Sequence, residues 1–232
     1  MVARVIDALS DRLADRIAKR VVSQLYFREL HPSTLLQREA QAEAAAYVKE
    51  QMPGALYFME REPLLRYAVD QVTRPGLMLE LGVFSGKSIW VIAQRTPRVV
   101  HGFDSFEGLP EEVGPWTKAD FDLGGRIPSI DDPRVRFYKG WFSDVLPHYQ
   151  VPAHDVLVMN MDADIYSSTA YVLRHFRPWI KQGTYIYFDE FNHVDQEPRA
   201  FHELIESGFR FRLVSTDSTL AFSCFQCTQT AS

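Results

Sequence analysis

Cysteine is scarce in this 232-residue sequence: there are two, Cys224 and Cys227. That argues against a disulfide scaffold, and a structural zinc wants four ligands where no second pair exists. An odd separation places the two on opposite faces of a strand, so they read as buried strand cysteines rather than a redox or metal pair. No stretch reaches eighteen uninterrupted apolar residues, so no membrane span is expected. The first twenty residues have neither the pure apolar run of a signal peptide nor the acid-poor character of a transit peptide. Asp7, Asp11 and Asp15 are mixed there with Arg4, Arg12, Arg16 and Lys19. An excess of positive charge is also missing. The chain carries 25 Lys+Arg against 30 Asp+Glu, a net charge of −5, which makes non-specific nucleic-acid binding a poor expectation. Internal repeats and low-complexity tracts are absent. With 46% hydrophobic and 24% charged residues, both near the globular average, the chain reads as a soluble, cytoplasmic protein. Its length suits one generous domain with an extension.

Two regimes follow along the chain. Val5, Leu9, Leu13, Ile17 and Val21 recur every fourth residue and predict an amphipathic helix over 3–25. His31-Pro32-Ser33 breaks it, and Ser33 or Thr34 is placed to cap a second helix to about Gln51. A third helix fits 60–73. This helical preface, assigned to residues 1–59, is expected to carry homo-oligomerisation, because one domain's sheet does not need its apolar stripe. From residue 77 short apolar runs alternate with helical stretches: strands at 77–82, 98–104, 135–139, 155–161 and 183–189, helices at 86–95, 168–180 and 197–207. Final runs at 209–214 and 219–226 form a hairpin. The expectation is an α/β, Rossmann-like domain over 60–232, with a mostly parallel seven-stranded sheet and an antiparallel terminal hairpin. That is the arrangement of class I methyltransferases, although pattern alone leaves a dehydrogenase or P-loop enzyme open. The Gly-, Pro- and Asp-rich stretch 105–134 is a long connection of the kind that is usually functional or mobile.

The turn after the first of these strands reads Glu80-Leu-Gly-Val-Phe-Ser-Gly-Lys-Ser88. It has three residues between Gly82 and Gly86-Lys87-Ser88 where a P-loop needs four. Phe84 stands where a nicotinamide fingerprint needs a bare glycine beside the pyrophosphate. A nucleoside held without phosphates remains: Glu80 can accept from a cationic amine, and Gly82 and Gly86 let the backbone approach, which suits S-adenosylmethionine. An ordinary strand-to-helix turn is the bland alternative. Asp104 ends the next strand, twenty-two residues after Gly82, where an acid can bind ribose hydroxyls or cap a helix.

A cluster of acids ends two later strands. Asp162 and Asp164 follow the run to Met161, and Asp189 and Glu190 follow the run to Phe188. Ligand sites in open parallel sheets lie beyond the carboxyl ends of strands, so the four carboxyls converge on one edge. Unpaired, they would repel and raise one another's pKa. A divalent cation resolves this, and all-oxygen donors suit Mg²⁺, with Ca²⁺ or Mn²⁺ as alternatives. Asp164 and Glu190 as helix caps is the competing account. His193 follows closely enough to be a rival base or a plain loop histidine. Ser167 or Ser168 is expected to cap the following helix.

Together with Gly102-Phe-Asp-Ser-Phe-Glu-Gly-Leu-Pro110, Gly140-Trp-Phe-Ser-Asp-Val-Leu-Pro147, Met161-Asp-Ala-Asp-Ile-Tyr-Ser-Ser-Thr169 and Phe188-Asp-Glu-Phe191, the glycine turn resembles the block order of macrocin-type O-methyltransferases. The likeness spans roughly 60–226. It implies an S-adenosylmethionine- and Mg²⁺-dependent enzyme that methylates a sugar or oligosaccharide hydroxyl. It also implies roles. Glu80 and Gly82 would meet the methionine part and Ser88 its carboxylate. Asp104, assisted by Ser105, would hold the ribose, and Trp141 and Phe142 would lie along the adenine. Asp162, Asp189 and Glu190 would hold the metal, and Asp164 would be the base. Ala163 replaces a usual Gly, and Glu190 a usual Asp. The Arg-, Ala- and Val-rich character also resembles actinobacterial enzymes that methylate mannose in methylated polysaccharides. A catechol-type methyltransferase and a non-catalytic S-adenosylmethionine-binding scaffold remain the alternatives.

Overall fold

A computed structural model describes residues 14–24, 32–51, 54–74, 76–113, 116–193 and 195–231. The chain divides into two units, Met1–Ala45 and Ala46–Ser232. In the first, residues 14–24 form helix α1, with Ile17 and Val21 56% and 47% exposed. The rest of the helix expected over 3–25 lies outside the described residues. Helix α2 covers Pro32–Gln51.

The second unit is built on one eight-stranded sheet. Its elements in chain order are β1 (Leu56–Phe58), α3 (Arg61–Asp70), β2 (Gly76–Leu81), α4 (Lys87–Arg95), β3 (Val100–Asp104), β4 (Val135–Lys139), α5 (Phe142–Val145), β5 (Val156–Met161), α6 (Tyr166–Phe176), β6 (Tyr185–Phe188), α7 (Glu197–Glu206), β7 (Arg210–Asp217) and β8 (Ser223–Gln229). The strand order is β1-β7-β8-β6-β5-β2-β3-β4. β8 pairs antiparallel with both β6 and β7, and the other pairings are parallel. The expected fold class is therefore observed, with eight strands rather than seven. The extra one, β1, is only three residues long and lies parallel against β7 at the sheet's edge, too short to announce itself by alternation.

Residues of the central strands are buried on both faces, as a parallel sheet under two helical layers requires. On β2, Leu77, Leu79 and Leu81 face the layer that contains Val172, Phe176 and Phe201 of α6 and α7. Met78 faces the opposite layer, with Leu64, Leu65, Ile89 and Ile92 of α3 and α4. Glu80 falls on the Met78 side by the same alternation, a carboxyl driven into an apolar layer. Cys224 and Cys227 are buried and free, one in each layer, as expected.

Two local expectations shift. The last strand begins at Ser223 rather than 219, because the Asp217 carboxylate accepts from Thr219 N and Phe222 N at 3.0 Å each and folds those residues into the turn. Helix α6 begins at Tyr166 after Ile165, with no side-chain cap. Neither Ser167 nor Ser168 is its N-cap. Instead Tyr166 N donates to Gln196 Oε1 at 2.8 Å, and Ser167 Oγ donates to Glu111.

Candidate functional site

The strand order reverses at β2, which has β3 on one side and β5 on the other, and crevices at such switch points are where open α/β sheets bind ligands. A cavity of about 640 Å³ opens there. It is lined by Gly82, Asp104 and Ser105, by Trp141 and Phe142, and by Asp162, Ala163, Asp164, Asp189 and Glu190. Phe84, Trp116 and Phe121 also line it. They form a chain of rings, Phe84–Phe121 at 5.5 Å and Trp116–Phe121 at 5.3 Å.

Gly82 is required by geometry. Its φ is +96°, and a Cβ added there would lie 1.7 Å from the carbonyl oxygen of Asp162. The main chains leaving β2 and β5 thus touch at the cavity floor, and no side chain fits between them. Asp104 does more than the sequence suggested. Its Oδ2 accepts from Val83 N and Phe84 N at 2.7 Å, and its Oδ1 from Phe106 N at 2.6 Å. Three of about four acceptor sites of a carboxylate are used. Asp104 therefore clasps the glycine turn and retains room for one further hydrogen bond.

Glu80 and Ser88 are buried and not among the cavity-lining residues. Glu80 Oε1 accepts from Asn160 Nδ2 of the neighbouring strand at 2.8 Å, and Ser88 also hydrogen-bonds the carboxyl. Burial, reinforced by the Asp162 charge, pushes the Glu80 carboxyl up to about 8.

The acidic edge holds a cation of its own. Arg61, the first residue of α3, places Nη2 2.7 Å from Asp162 Oδ2 and Nε 2.7 Å from Asp189 Oδ1. Burial opposes the arginine's charge, but the two carboxylates outweigh it and hold the guanidinium protonated more firmly than usual. Burial and carboxylate repulsion in turn keep Asp189 above the ordinary range, against the pull of Arg61. Asp164, at φ +59° in the turn after β5, is pushed to about 8 by burial and then by the Asp162 and Glu190 charges. His193 Nδ1 lies 3.0 Å from Glu190 Oε2, and His193 is not a cavity-lining residue.

Glu197, fully buried at the start of α7, was not singled out from the sequence. Its Oε1 accepts from Ala163 N at 3.3 Å and its Oε2 from Glu190 N at 3.1 Å, so one carboxylate ties the turns after β5 and β6 together. Arg61 was missed as well. It lies 101 residues before Asp162, and a basic residue opening a surface helix carries no signal of its destination.

Among the described residues, no group of three or more His, Cys, Asp or Glu is arranged as a ready metal-ligand set. The donor chemistry nevertheless fits a hard cation: the acids are oxygen donors from two adjoining strand ends. Glu190 Oε2 meets His193 Nδ1 and Asp189 Oδ1 meets the guanidinium, each without good hydrogen-bond alignment.

Residues 126–209 match the family model described as Macrocin-O-methyltransferase (TylF). The resemblance to macrocin-type O-methyltransferases is borne out. A 4'-O-methyltransferase of 8-demethyl-8-(2,3-dimethoxy-alpha-L-rhamnosyl)-tetracenomycin-C from Streptomyces olivaceus is 30% identical over 165 residues, covering 57% of this chain and 60% of that protein. Demethyldecarbamoylnovobiocin O-methyltransferase from Streptomyces niveus is 28% identical over 141 residues, covering 50% and 53%. The matched segments thus span less than two thirds of either relative's length. The calicheamicin methyltransferase CalS11 shares the fold with a TM-score of 0.55 at 21% identity, over 84% of this chain and 93% of that one. The O-methyltransferase NovP does so with a TM-score of 0.50 at 22% identity, over 85% and 100%. The narrower likeness to mannose methyltransferases finds no support in these matches.

The raised Glu80 predicts a pH effect on stability. The folded state holds this proton more tightly than the unfolded chain, so stability contributed below the unfolded value of 4.5 is lost as pH rises through about 8. Glu80→Gln removes that loss. Its Tm should gain on the parent as pH rises across this window, and a difference independent of pH would contradict the burial account.

Proposed function

We propose that this chain is an S-adenosylmethionine-dependent O-methyltransferase acting on a hydroxyl of a sugar or saccharide. The observation that carries the reading is a cavity at the strand switch point with the up-shifted Asp164 carboxyl on its wall. The matched relatives are named for methylating a rhamnosyl tetracenomycin and a novobiocin precursor, and we carry the sugar-acceptor class over from the first.

The side chains divide the work. Asp104 offers its remaining acceptor site to a ribose hydroxyl while fixing the glycine turn. Ser105 Oγ, which accepts from Glu107 N at 3.0 Å, steadies the segment behind it. Trp141 and Phe142 supply a flat apolar face for the adenine. Gly82 leaves bare backbone beneath the methionine part. We assign Glu80 and Ser88 to shaping the turn from below, since they lie behind the cavity surface. Methyl transfer forms an oxygen–carbon bond as the sulfur–carbon bond breaks, and the acceptor hydroxyl loses a proton. Asp164 is positioned to take that proton, and burial makes its carboxylate a stronger base than an exposed one. A hydroxyl is a poor nucleophile at neutral pH, and a divalent cation bound at Asp162, Asp189 and Glu190 would acidify and orient it. Mg²⁺ is the ion we favour there. His193 stays the alternative base.

Assembly is a second part of the reading. The exposed Ile17 and Val21 of α1 support homo-oligomerisation through the N-terminal helices. Removing residues 1–45 should lower the mass seen by light scattering, and an unchanged mass would sink the idea.

The activity is tested by methyl transfer from S-adenosylmethionine to a panel of sugars and catechols. Transfer to a sugar is expected; transfer to catechols alone would favour the diol reading, and none at all a scaffold. On the accepted substrate kcat should rise with pH as Asp164 ionises, below the ion-free value of about 8 because a cation at Asp162 and Glu190 offsets their charges. Asp164→Asn should cut kcat about 10²–10⁴-fold and abolish that rise, with His193→Gln keeping both. The reverse pattern would transfer the base role to His193.

A further inference from the structure

We propose that Arg61 is a resident cation that competes with a divalent ion for the Asp162–Asp189 edge, so that the edge exists in an arginine-held and a metal-held state. This rests on the reading of these acids as metal ligands. Two buried carboxyl groups from adjoining strand ends stay together by sharing a proton or by taking a counter-charge. The described structure supplies it from α3: one guanidinium nitrogen 2.7 Å from Asp162 Oδ2 and another 2.7 Å from Asp189 Oδ1.

The way the charge is shared makes the arginine displaceable. A strong arginine–carboxylate pair places two parallel N–H groups on one carboxylate. Here the fork is split between two acids, and the contact to Asp189 lacks hydrogen-bond alignment. The guanidinium also meets the Phe222 ring at 5.8 Å and interacts with the Tyr187 hydroxyl, a neutral partner that supplies no opposing charge. The Arg61 side chain is 37% exposed, against 22% for Asp162 and 11% for Asp189. It lines the cavity together with the two acids and is the most exposed of the three. A dication would bring twice the charge to the same oxygens and would compete with the guanidinium for them. The arginine therefore keeps the strand ends together when no ion is bound, and it weakens the ion's apparent affinity.

Calorimetric titration of Mn²⁺ and Mg²⁺ into the full chain and into Arg61→Met tests this without reference to turnover. The variant should bind the ion at least about tenfold more tightly, the order of coupling between charges in direct contact. Equal affinity would overturn the competition and leave the ligand reading standing. If neither chain binds either ion, the ligand reading falls and the competition with it. Should Arg61→Met fail to fold, Arg61→Lys keeps the charge but cannot span both acids. It should then tighten binding by a smaller factor, and an affinity equal to the parent's would again overturn the proposal.

Discussion

Everything at this site depends on one close approach: the carbonyl oxygen of Asp162 occupies the space where residue 82 would otherwise carry a Cβ. A parallel sheet holds its strands by backbone pairing, and β2 and β5 pair along their length from Gly76↔Val156 to Leu81↔Met161. Beyond Leu81 the chains must part so that one enters the glycine turn and the other the acid-bearing turn. Glycine at position 82 lets them stay in contact for one residue more. The nucleoside-sized cavity and the acids thereby share a floor, which any methyl transfer between a bound donor and an activated hydroxyl requires.

The second constraint is charge. Burial at the strand ends makes each carboxylate costly. Arg61 offsets that cost at Asp162 and Asp189 by placing positive charge against them. Glu197 fixes the backbone amides of Ala163 and Glu190, and burial pushes its own carboxyl well above the ordinary range. Asp164 has no ion pair among the described contacts. Its carboxyl is left with burial and like charge, which is the environment that turns a carboxylate into a base active near neutral pH.

Much of this was legible in the residues. Alternating apolar runs and helical stretches specified the parallel sheet, and the acids at the ends of two such runs specified a common edge, because strand direction dictates where side chains after Met161 and Phe188 emerge. What the residues did not reveal is tertiary. Glu80 reads as a ligand beside a glycine turn, and only the fold shows that its carboxyl is buried against Asn160. Asp104 reads as a ribose acceptor, and only the fold shows that the turn's own amides take three of its bonding sites and leave one. Ser167 looks like a helix cap until Gln196 supplies the acceptor from another element. Arg61 and Glu197 have no local motif, since their roles arise only once distant segments meet. Strand β1 is too short to show a period.

The central claim is that donor and acid edge face each other across Gly82. A crystal structure with S-adenosylhomocysteine bound tests it most directly. The account predicts the thioether sulfur over Gly82, a ribose hydroxyl on Asp104, and Asp164 facing the sulfur across open space for an acceptor. Ligand density elsewhere, or a sulfur turned away from Asp162 and Asp164, would contradict it.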